Sequence, residues 1–192
     1  MDIYKDKYLI KNKKKKHMLN QSIANNYSEV LFRIKNFDIN EIYSDFLEYE
    51  NIIKDEPLFS EMLRQDYISN EKKKELFYNK FTNLVKYKKF FDNIFDSKKS
   101  LYITSIIDNF IKIYRKKNKI GVVEVVSSFE MDTENLKIIT DNVKKKFNFN
   151  DVIINNRIDS NIIAGFIVYV DNHILDFSIK SILHNFKHKL KF

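Results

Sequence analysis

The amino-acid sequence predicts an α+β protein, with a six-helix bundle at about residues 20–118 and a small α/β unit at about residues 119–192. Glycine occurs twice and proline once in 192 residues, which argues against turn-dense β-sandwiches and barrels. Apolar residues recur at helical spacing as far as residue 118. After Gly121 the period changes, because short runs of β-branched residues follow.

The helices of the bundle are predicted from apolar spacing and from residues that favour helix starts. One helical face of the first segment carries Ile23, Tyr27, Val30, Leu31 and Ile34. Asp38, with Glu41 as its capping-box partner, Pro57 and Ser69 mark the next three starts. Apolar residues continue the helical spacing over 84–95, and Ser100 opens a long sixth helix. These six segments make up the predicted bundle.

The second unit is predicted to combine strands with two helices. Four segments have the composition of strands: Val122–Val126, Asp151–Ile158, Ile162–Val170 and a short return at His173–Asp176. A helix capped by Asp132 or Thr133 lies between the first two, and an amphipathic helix follows the last. Because Ile162–Val170 is apolar on both faces, we expect this strand to be buried on both faces.

The basic character of the chain is concentrated at its start. The net charge is +8, and residues 1–16 contain seven lysines against two aspartates. We therefore expect residues 1–19 to form a basic flexible tail, which could also bind nucleic acid or an anionic membrane surface, or act as a mitochondrial presequence. The lysine runs at 72–74 and 144–146 are interpreted as compositional bias rather than as binding patches.

Several kinds of chemistry are excluded by residue types that are missing. Without cysteine there is no disulfide, thiol nucleophile or cysteine-ligated metal, and two glycines cannot build a phosphate-binding loop or a nucleophile elbow. The longest apolar run, Ile162–Val170, is too short to span a bilayer. His184 and His188 have a metal-compatible spacing but no third ligand in the sequence. We predict no catalytic residues, no cofactor and no metal.

The segment from residue 157 to residue 183 has a distinctive arrangement of an acidic residue, an apolar run with one glycine, an acidic turn and two polar residues before a helix. It resembles the signature of the delta subunit of F-type ATP synthases, whose mitochondrial relative is the oligomycin-sensitivity-conferring protein. The residues that match this signature are Asp159, Ile163, Gly165, Asp171, Asp176 and Ser178. Ser160, Ala164 and Phe177 depart from it, which indicates a divergent member.

The signature residues have structural interpretations of their own. Gly165 is expected to permit the close approach of a neighbouring segment, and Asp176 and Ser178 can cap the last helix. The helical half has the length and order of the family, so the resemblance extends over nearly all of residues 20–192.

The resemblance implies a non-catalytic peripheral-stalk, or stator, subunit present in one copy per complex. Such a subunit links the alpha–beta catalytic head to the b-type stalk, so that rotation is coupled to proton translocation. In the family, the helical bundle receives an N-terminal helix of an alpha subunit at its first and fifth helices. The candidate groove residues, which could equally lie in the bundle's own core, are Tyr27, Leu31, Ile34, Phe81, Leu84 and Val85. The candidate contacts with the b-type stalk, or core residues, are Ile179, Ile182, Leu183 and Phe186.

Three alternatives remain open at this point. The chain could serve a rotary or motility ATPase that resembles ATP synthase but lacks a proton path. It could be a basic nucleic-acid-binding protein that uses residues 1–16, or an enzyme of unrecognised type. The family resemblance itself implies no nucleic-acid partner and no membrane span, and a location at the cytoplasmic face of a bacterial membrane or the matrix face of a mitochondrial one.

Overall fold

The computed structural model describes residues 21–34 and 36–189, apart from the side chains of residues 185, 188 and 189. The chain divides into two compact units, residues 1–114 and residues 115–192. The first contains helices, and the second contains a four-stranded sheet with helices, so the predicted α+β class is confirmed. In the described ranges no helix is long and apolar enough to cross a membrane.

Over residues 21–34 and 36–117, the helical unit contains six α-helices and two short 3₁₀ segments, at Thr82–Tyr87 and Ser100–Tyr102. The α-helices are α1 (21–33), α2 (Ile39–Asp55), α3 (Pro57–Arg64), α4 (Asn70–Lys80), α5 (Lys88–Asp96) and α6 (Ile103–Lys117). The predicted continuous helical pattern before α5 is therefore interrupted, since residues 82–87 adopt the tighter 3₁₀ form.

Helix starts follow the local signals in the sequence. The carboxylate of Asp38 accepts the Asn40 N–H at 2.9 Å, and the Ser69 hydroxyl accepts the Lys72 N–H at 3.3 Å. Pro57 is the first residue of α3. The carboxylate of Glu41 forms an ion pair with Lys86, a contact that links α2 to a distant part of the chain.

Aromatic side chains fill the interior of the helical unit. Phe77, on α4, is fully buried and its ring centroid lies 4.9 Å from that of Phe91 on α5. Phe46 of α2 meets Phe110 of α6 edge-on, with centroids 5.1 Å apart. Burial of each such ring stabilises the fold by roughly 1.5–3 kcal/mol, with a further increment from the ring geometry.

The second unit has four strands, β1 (Ile120–Ser127), β2 (Asp151–Ile158), β3 (Phe166–Val170) and β4 (His173–Asp176). The strand order is β2-β1-β3-β4, with β1 parallel to β2 and antiparallel to β3. Helix α7 (Thr133–Phe147) makes the crossover that the parallel pair requires, and α8 (Ile179–Lys189) follows β4. Val123 and Val125 of β1 share a buried cluster with Ile139 and Val143 of α7.

The third strand is shorter than predicted. It spans Phe166–Val170, and residues 162–165 form a loop in which Ile163 is 85% exposed. Gly165 has a φ of +91°, a conformation that breaks the extended pairing before β3 begins. Within β3, Val168 and Val170 are buried on one face, whereas Ile167 and Tyr169 on the other face are half-buried. The expectation of burial on both faces is therefore wrong, for the loop and for the strand.

Candidate functional site

An apolar groove lies in the helical unit between the C-terminal half of α1 and the first turns of α5. Its volume is about 850 Å³. The lining residues are Tyr27, Val30, Leu31, Ile34, Asn36, Phe37, Lys86, Tyr87, Lys88, Lys89, Phe90, Asp92 and Asn93. The groove forms because one face of α1 turns its apolar residues towards the aromatic residues around the start of α5, which lies far away in the sequence.

Aromatic pairs form the walls and floor of this groove. The rings of Tyr27 and Phe90 meet edge-on across it, with centroids 6.2 Å apart. At the other end, Phe37 packs edge-on against Tyr87 with centroids 5.0 Å apart. Leu31 and Tyr87 are buried and form the floor, whereas Val30 is 48% exposed on the rim. The groove thus presents a surface of aromatic and aliphatic side chains to the outside.

A buried polar cluster supports the floor at the Tyr87 end. The Tyr87 hydroxyl donates to the carboxylate of Asp45 at 2.6 Å, and Lys86 Nζ lies 2.8 Å from the same carboxylate. Burial, followed by the hydrogen bond to Asp45, raises the pKa of Tyr87, so this phenol is neutral at physiological pH. Hydrogen bonds to Asp45 and then to Glu41 raise the pKa of Lys86.

The other charges on the groove are less evenly matched. In the described residues no carboxylate lies within 4.0 Å of the ammonium group of Lys88 or of Lys89, although Lys88 Nζ lies 5.9 Å from the centre of the Tyr78 ring. The acidic side chain on this rim, Asp92, is already engaged by Lys74 at 3.5 Å and by the Tyr78 hydroxyl at 3.1 Å. The rim therefore has excess positive charge.

The residues predicted for a helix-binding groove are separated by the fold. Tyr27, Leu31 and Ile34 line the groove. Phe81 and Leu84 are 1% and 0% exposed and pack in the interior, where the Phe81 ring lies 4.6 Å from that of Tyr49. Val85 is 44% exposed but does not line the groove.

Sequence reasoning missed the residues that form the α5 side of the groove. These are Tyr87 and Phe90, with the basic residues around them. Phe37, which lies between α1 and α2, was missed as well. The available signal was the cluster of aromatic residues and lysines at 86–90, which spans the start of α5.

A second exposed apolar surface lies on α8 in the other unit. Ile179, Ile182, Leu183 and Phe186 follow one another at helical spacing on one face, and all four side chains are exposed. Beside this face, a depression of about 670 Å³ lies between α8 and the loop 161–164 and includes Ile163 and Leu183. Solvent-exposed apolar clusters of this kind mark contact surfaces.

The signature residues hold the junction between this loop and α8. The Ser178 hydroxyl accepts the Ser181 N–H at 3.2 Å and so caps α8, as predicted. The Asp176 carboxylate accepts the Ser178 N–H at 2.8 Å, and hydrogen bonds from Ser178 lower the pKa of Asp176. Asp171 adopts a φ of 49° in the turn between β3 and β4.

Gly165 permits a close approach of the chain at the same junction. A Cβ atom added here would lie 2.9 Å from the Cα of Ser178 and closer still to the carbonyl oxygen of Phe177. The Ile179 N–H donates to the Ala164 carbonyl at 3.0 Å, directly beside this contact. The predicted role of Gly165 in close packing agrees with this geometry, although the residue precedes the strand.

Asp159 starts the signature loop. Its carboxylate accepts the Asn161 N–H at 3.0 Å and lies 3.5 Å from the Arg157 guanidinium. The hydrogen bond from the Asn161 backbone is the main reason that the pKa of Asp159 is lowered. The hydrogen bonds of Asp159, Asp176 and Ser178 order turns and a helix end, so the role of these residues is structural.

The described part of either surface carries no cluster of metal ligands. Among the described residues no group of three or more histidine or acidic side chains could hold a metal ion. The side chain of His188 and the basic tail at residues 1–19 lie outside the described residues, so the structure bears on neither of those interpretations.

Comparisons with known proteins give a consistent result. The family described as ATP synthase delta (OSCP) subunit matches residues 23–190. A protein from Lactobacillus gasseri named ATP synthase subunit delta is 28% identical over 176 residues, covering 88% of this chain and 95% of its own. A protein of the same name from Prochlorococcus marinus is 25% identical, covering 83% of this chain and 91% of its own.

The fold agrees with a solved structure from the same kind of complex. A chain in the cryo-EM structure of the Toxoplasma gondii mitochondrial ATP synthase hexamer superposes with a TM-score of 0.63 and 17% identity, covering 87% of this chain and 96% of the other. The family match extends over both units, from α1 to the end of α8. On this evidence, the chain belongs to the ATP synthase delta (OSCP) subunit family.

Proposed function

We propose that this protein is a non-catalytic peripheral-stalk subunit of an ATP synthase, in which it links the alpha–beta catalytic head to a b-type stalk. The observation that carries this proposal is the apolar groove between α1 and α5. A groove of this form suits an amphipathic helix, which would lay its apolar face into it. In this assignment the helix comes from the N-terminus of one alpha subunit.

The walls of the groove are suited to binding through apolar anchors. Tyr27, Phe37 and Phe90 supply aromatic surface with few rotatable bonds, so little conformational entropy is lost when a partner is bound. The Asp45 cluster holds Tyr87 in place below them. The incoming helix would bury apolar residues three and four positions apart against this surface.

The excess charge on the rim specifies the polar side of the partner. Lys88 and Lys89 have no carboxylate partner among the described residues, while Lys86 is paired with Asp45. An acidic residue on the flank of the bound helix would complete these pairs. Rim charges of this kind act mainly on association rate and on salt dependence.

The exposed face of α8 is the proposed contact with the b-type stalk. Its four apolar side chains are arranged for helix-to-helix packing, and the neighbouring depression extends the surface to Ile163. Two apolar surfaces on two compact units suit a connector that holds one partner with each unit. One copy per complex, at the cytoplasmic or matrix face of the membrane, would keep the head from turning with the rotor.

The groove assignment is tested by titrating the full chain with a peptide of the N-terminal segment of the alpha subunit from the same cell. In isothermal calorimetry, Val30→Glu should weaken binding by roughly tenfold or more, because it places a charge in an apolar interface. Val85→Glu is the matched control, since Val85 is similarly exposed (44% against 48%) but lies outside the groove. Equal weakening by both variants would contradict the assignment.

The α8 surface is tested separately with the C-terminal segment of the b-type subunit. Leu183→Glu should abolish that binding while leaving the alpha peptide unaffected. Ile138→Glu on α7 is the control, because Ile138 is comparably exposed (53% against 62%) and lies on another helix. Unchanged binding by Leu183→Glu would refute this contact.

Purification of the intact assembly then separates the ATP synthase from the alternatives. Recovery of the chain with alpha, beta and b-type subunits and the membrane ring supports the proposal. Recovery with alpha- and beta-like subunits but without a ring would identify a motor that lacks a proton path. Recovery with nucleic acid alone would refute the stalk function.

A further inference from the structure

A small cavity in the helical unit has a chemistry that the groove does not share. Its volume is about 240 Å³, and it lies at the N-terminal end of α4. The lining residues are Asp66, Ile68, Ser69, Asn70, Lys73, Lys98, Ser100 and Leu101. None of these residues lines the groove between α1 and α5.

Lys73 is the unusual member of this cavity, because it is a buried lysine without an acidic partner. Its side chain is 4% exposed, and its Nζ donates to the Ser100 hydroxyl oxygen at 3.3 Å. That hydroxyl in turn donates to the Leu63 carbonyl, so it offers Lys73 only a neutral oxygen. Across the described residues, no carboxylate lies within 4.0 Å of Lys73 Nζ.

The neighbouring lysines on the same helix show the contrast. Lys72 is exposed and lies 2.8 Å from Glu75, and Lys74 lies 2.7 Å from Asp96. The lysine that is withdrawn from water is therefore the one that has no countercharge. Burying a charged group without a countercharge costs free energy, and a bound anion would offset this cost.

The position of Lys73 in α4 increases this cost. It lies in the first turns of the helix, where the unsatisfied backbone N–H groups of the helix start carry partial positive charge. Lys98, an exposed residue, is a second basic member of the lining. Asp66 is the acidic residue of the lining, but it is exposed and forms no ion pair within 4.0 Å with either lysine in the described structure.

We propose that this cavity binds a phosphate-sized oxyanion. The ammonium groups of Lys73 and Lys98 would surround it, together with the N-terminal amides of α4 that Ser69 does not already bind, and the Ser100 hydroxyl would orient Lys73. Several donors converging from different directions suit a tetrahedral anion with several acceptor oxygens. The anion could be inorganic phosphate or the terminal phosphate of a nucleotide, since both present the same group.

The test is calorimetric titration of the full chain with inorganic phosphate at constant ionic strength, with chloride as the replaced anion. Lys73→Met removes the charge and keeps an unbranched side chain of similar length, and it should weaken phosphate binding by roughly tenfold or more. Lys72→Met, on the same helix, is the matched control and should bind as the wild type does. Asp66→Asn should tighten binding, because it removes a negative charge from the lining.

A second readout protects the test against a folding defect. Phosphate should raise the melting temperature of the wild type and of Lys72→Met, but not that of Lys73→Met. Lys98→Met, an exposed substitution, should weaken binding without changing the melting temperature of the free protein. Parallel titration with adenosine triphosphate shows whether the site prefers free phosphate or the terminal phosphate of a nucleotide. Binding of either ligand that is weakened by Lys73→Met supports the site. Absence of phosphate binding, or equal binding by Lys72→Met and Lys73→Met, would overturn it.

Discussion

Replacement of Gly165 by alanine provides a direct test of how the loop and α8 are joined. Gly165 has a φ of +91°, which costs a residue with a Cβ atom about 1–2 kcal/mol. The added Cβ would also lie 2.9 Å from Ser178 Cα. Because the backbone on both sides is hydrogen-bonded, moving it to relieve this clash would cost about 1–2 kcal/mol more. We expect a total loss of roughly 2–4 kcal/mol in the stability of this unit.

Hydrogen exchange monitored in the strands of the second unit measures this loss locally. Because a tenfold change corresponds to about 1.4 kcal/mol, the slowest amides of β3 should exchange about 30- to 1,000-fold faster in Gly165→Ala. Amides of α2 and α6 serve as internal references, since they belong to the other compact unit.

Gly121→Ala is the matched control. A Cβ at Gly121 would meet the ring of Phe149, a partly exposed side chain that can move aside, and Gly121 has no positive φ. The control should therefore lose less stability than Gly165→Ala. An equal or larger loss at Gly121 would refute the explanation from φ and backbone contact.

Three further predictions concern polar groups. Asp45→Asn should destabilise the helical unit by about 1–3 kcal/mol in urea unfolding, because it removes the charged acceptor shared by Tyr87 and Lys86; a change below ~0.5 kcal/mol would contradict this role. Ser178→Ala should cost about 1 kcal/mol and speed exchange of the first amides of α8, with Ser160→Ala as a neutral comparison. The pKa of Asp176 is lowered in the folded protein, so its stabilising contribution is present above the unfolded pKa of about 4 and is lost as the pH falls through the lowered value. Melting curves between pH 6 and pH 3 should therefore show a smaller acid-induced decrease for Asp176→Asn than for the wild type, and identical profiles would count against this contribution.

Features that depend on neighbouring residues could be predicted from the sequence. Asp38, Ser69 and Asp132 cap helices in the structure because the capping bond reaches only two or three residues along the chain. The second strand, Asp151–Ile158, has the predicted bounds for a related reason, since its β-branched residues follow a helix end at Asn148. Local chemistry alone decides these boundaries.

Features that depend on contacts between distant residues could not be predicted in the same way. The third strand begins only at Phe166, because residues 177–178 approach Gly165 closely. The apolar run in the sequence does not reveal this contact. Helical spacing likewise identifies Phe81 and Leu84 as apolar-face residues, but it does not distinguish a face that meets the core from one that lines a groove. In the run of lysines at 72–74, nothing in the sequence distinguishes the buried Lys73 from its exposed neighbours.

The connection between β4 and α8 also determines how the second unit responds to a pulling force. Helix α8 is joined to the rest of this unit through residues 177–178, which leave the sheet at its edge strand. The Phe177 N–H bonds to the Phe166 carbonyl at 2.9 Å and the Ile179 N–H to the Ala164 carbonyl at 3.0 Å, so the antiparallel ladder continues past the end of β4. Tension applied to α8 would reach these two bonds before it reached the four β4 residues. The two hydrogen bonds that flank Gly165 would therefore be the first contacts to break when α8 is pulled.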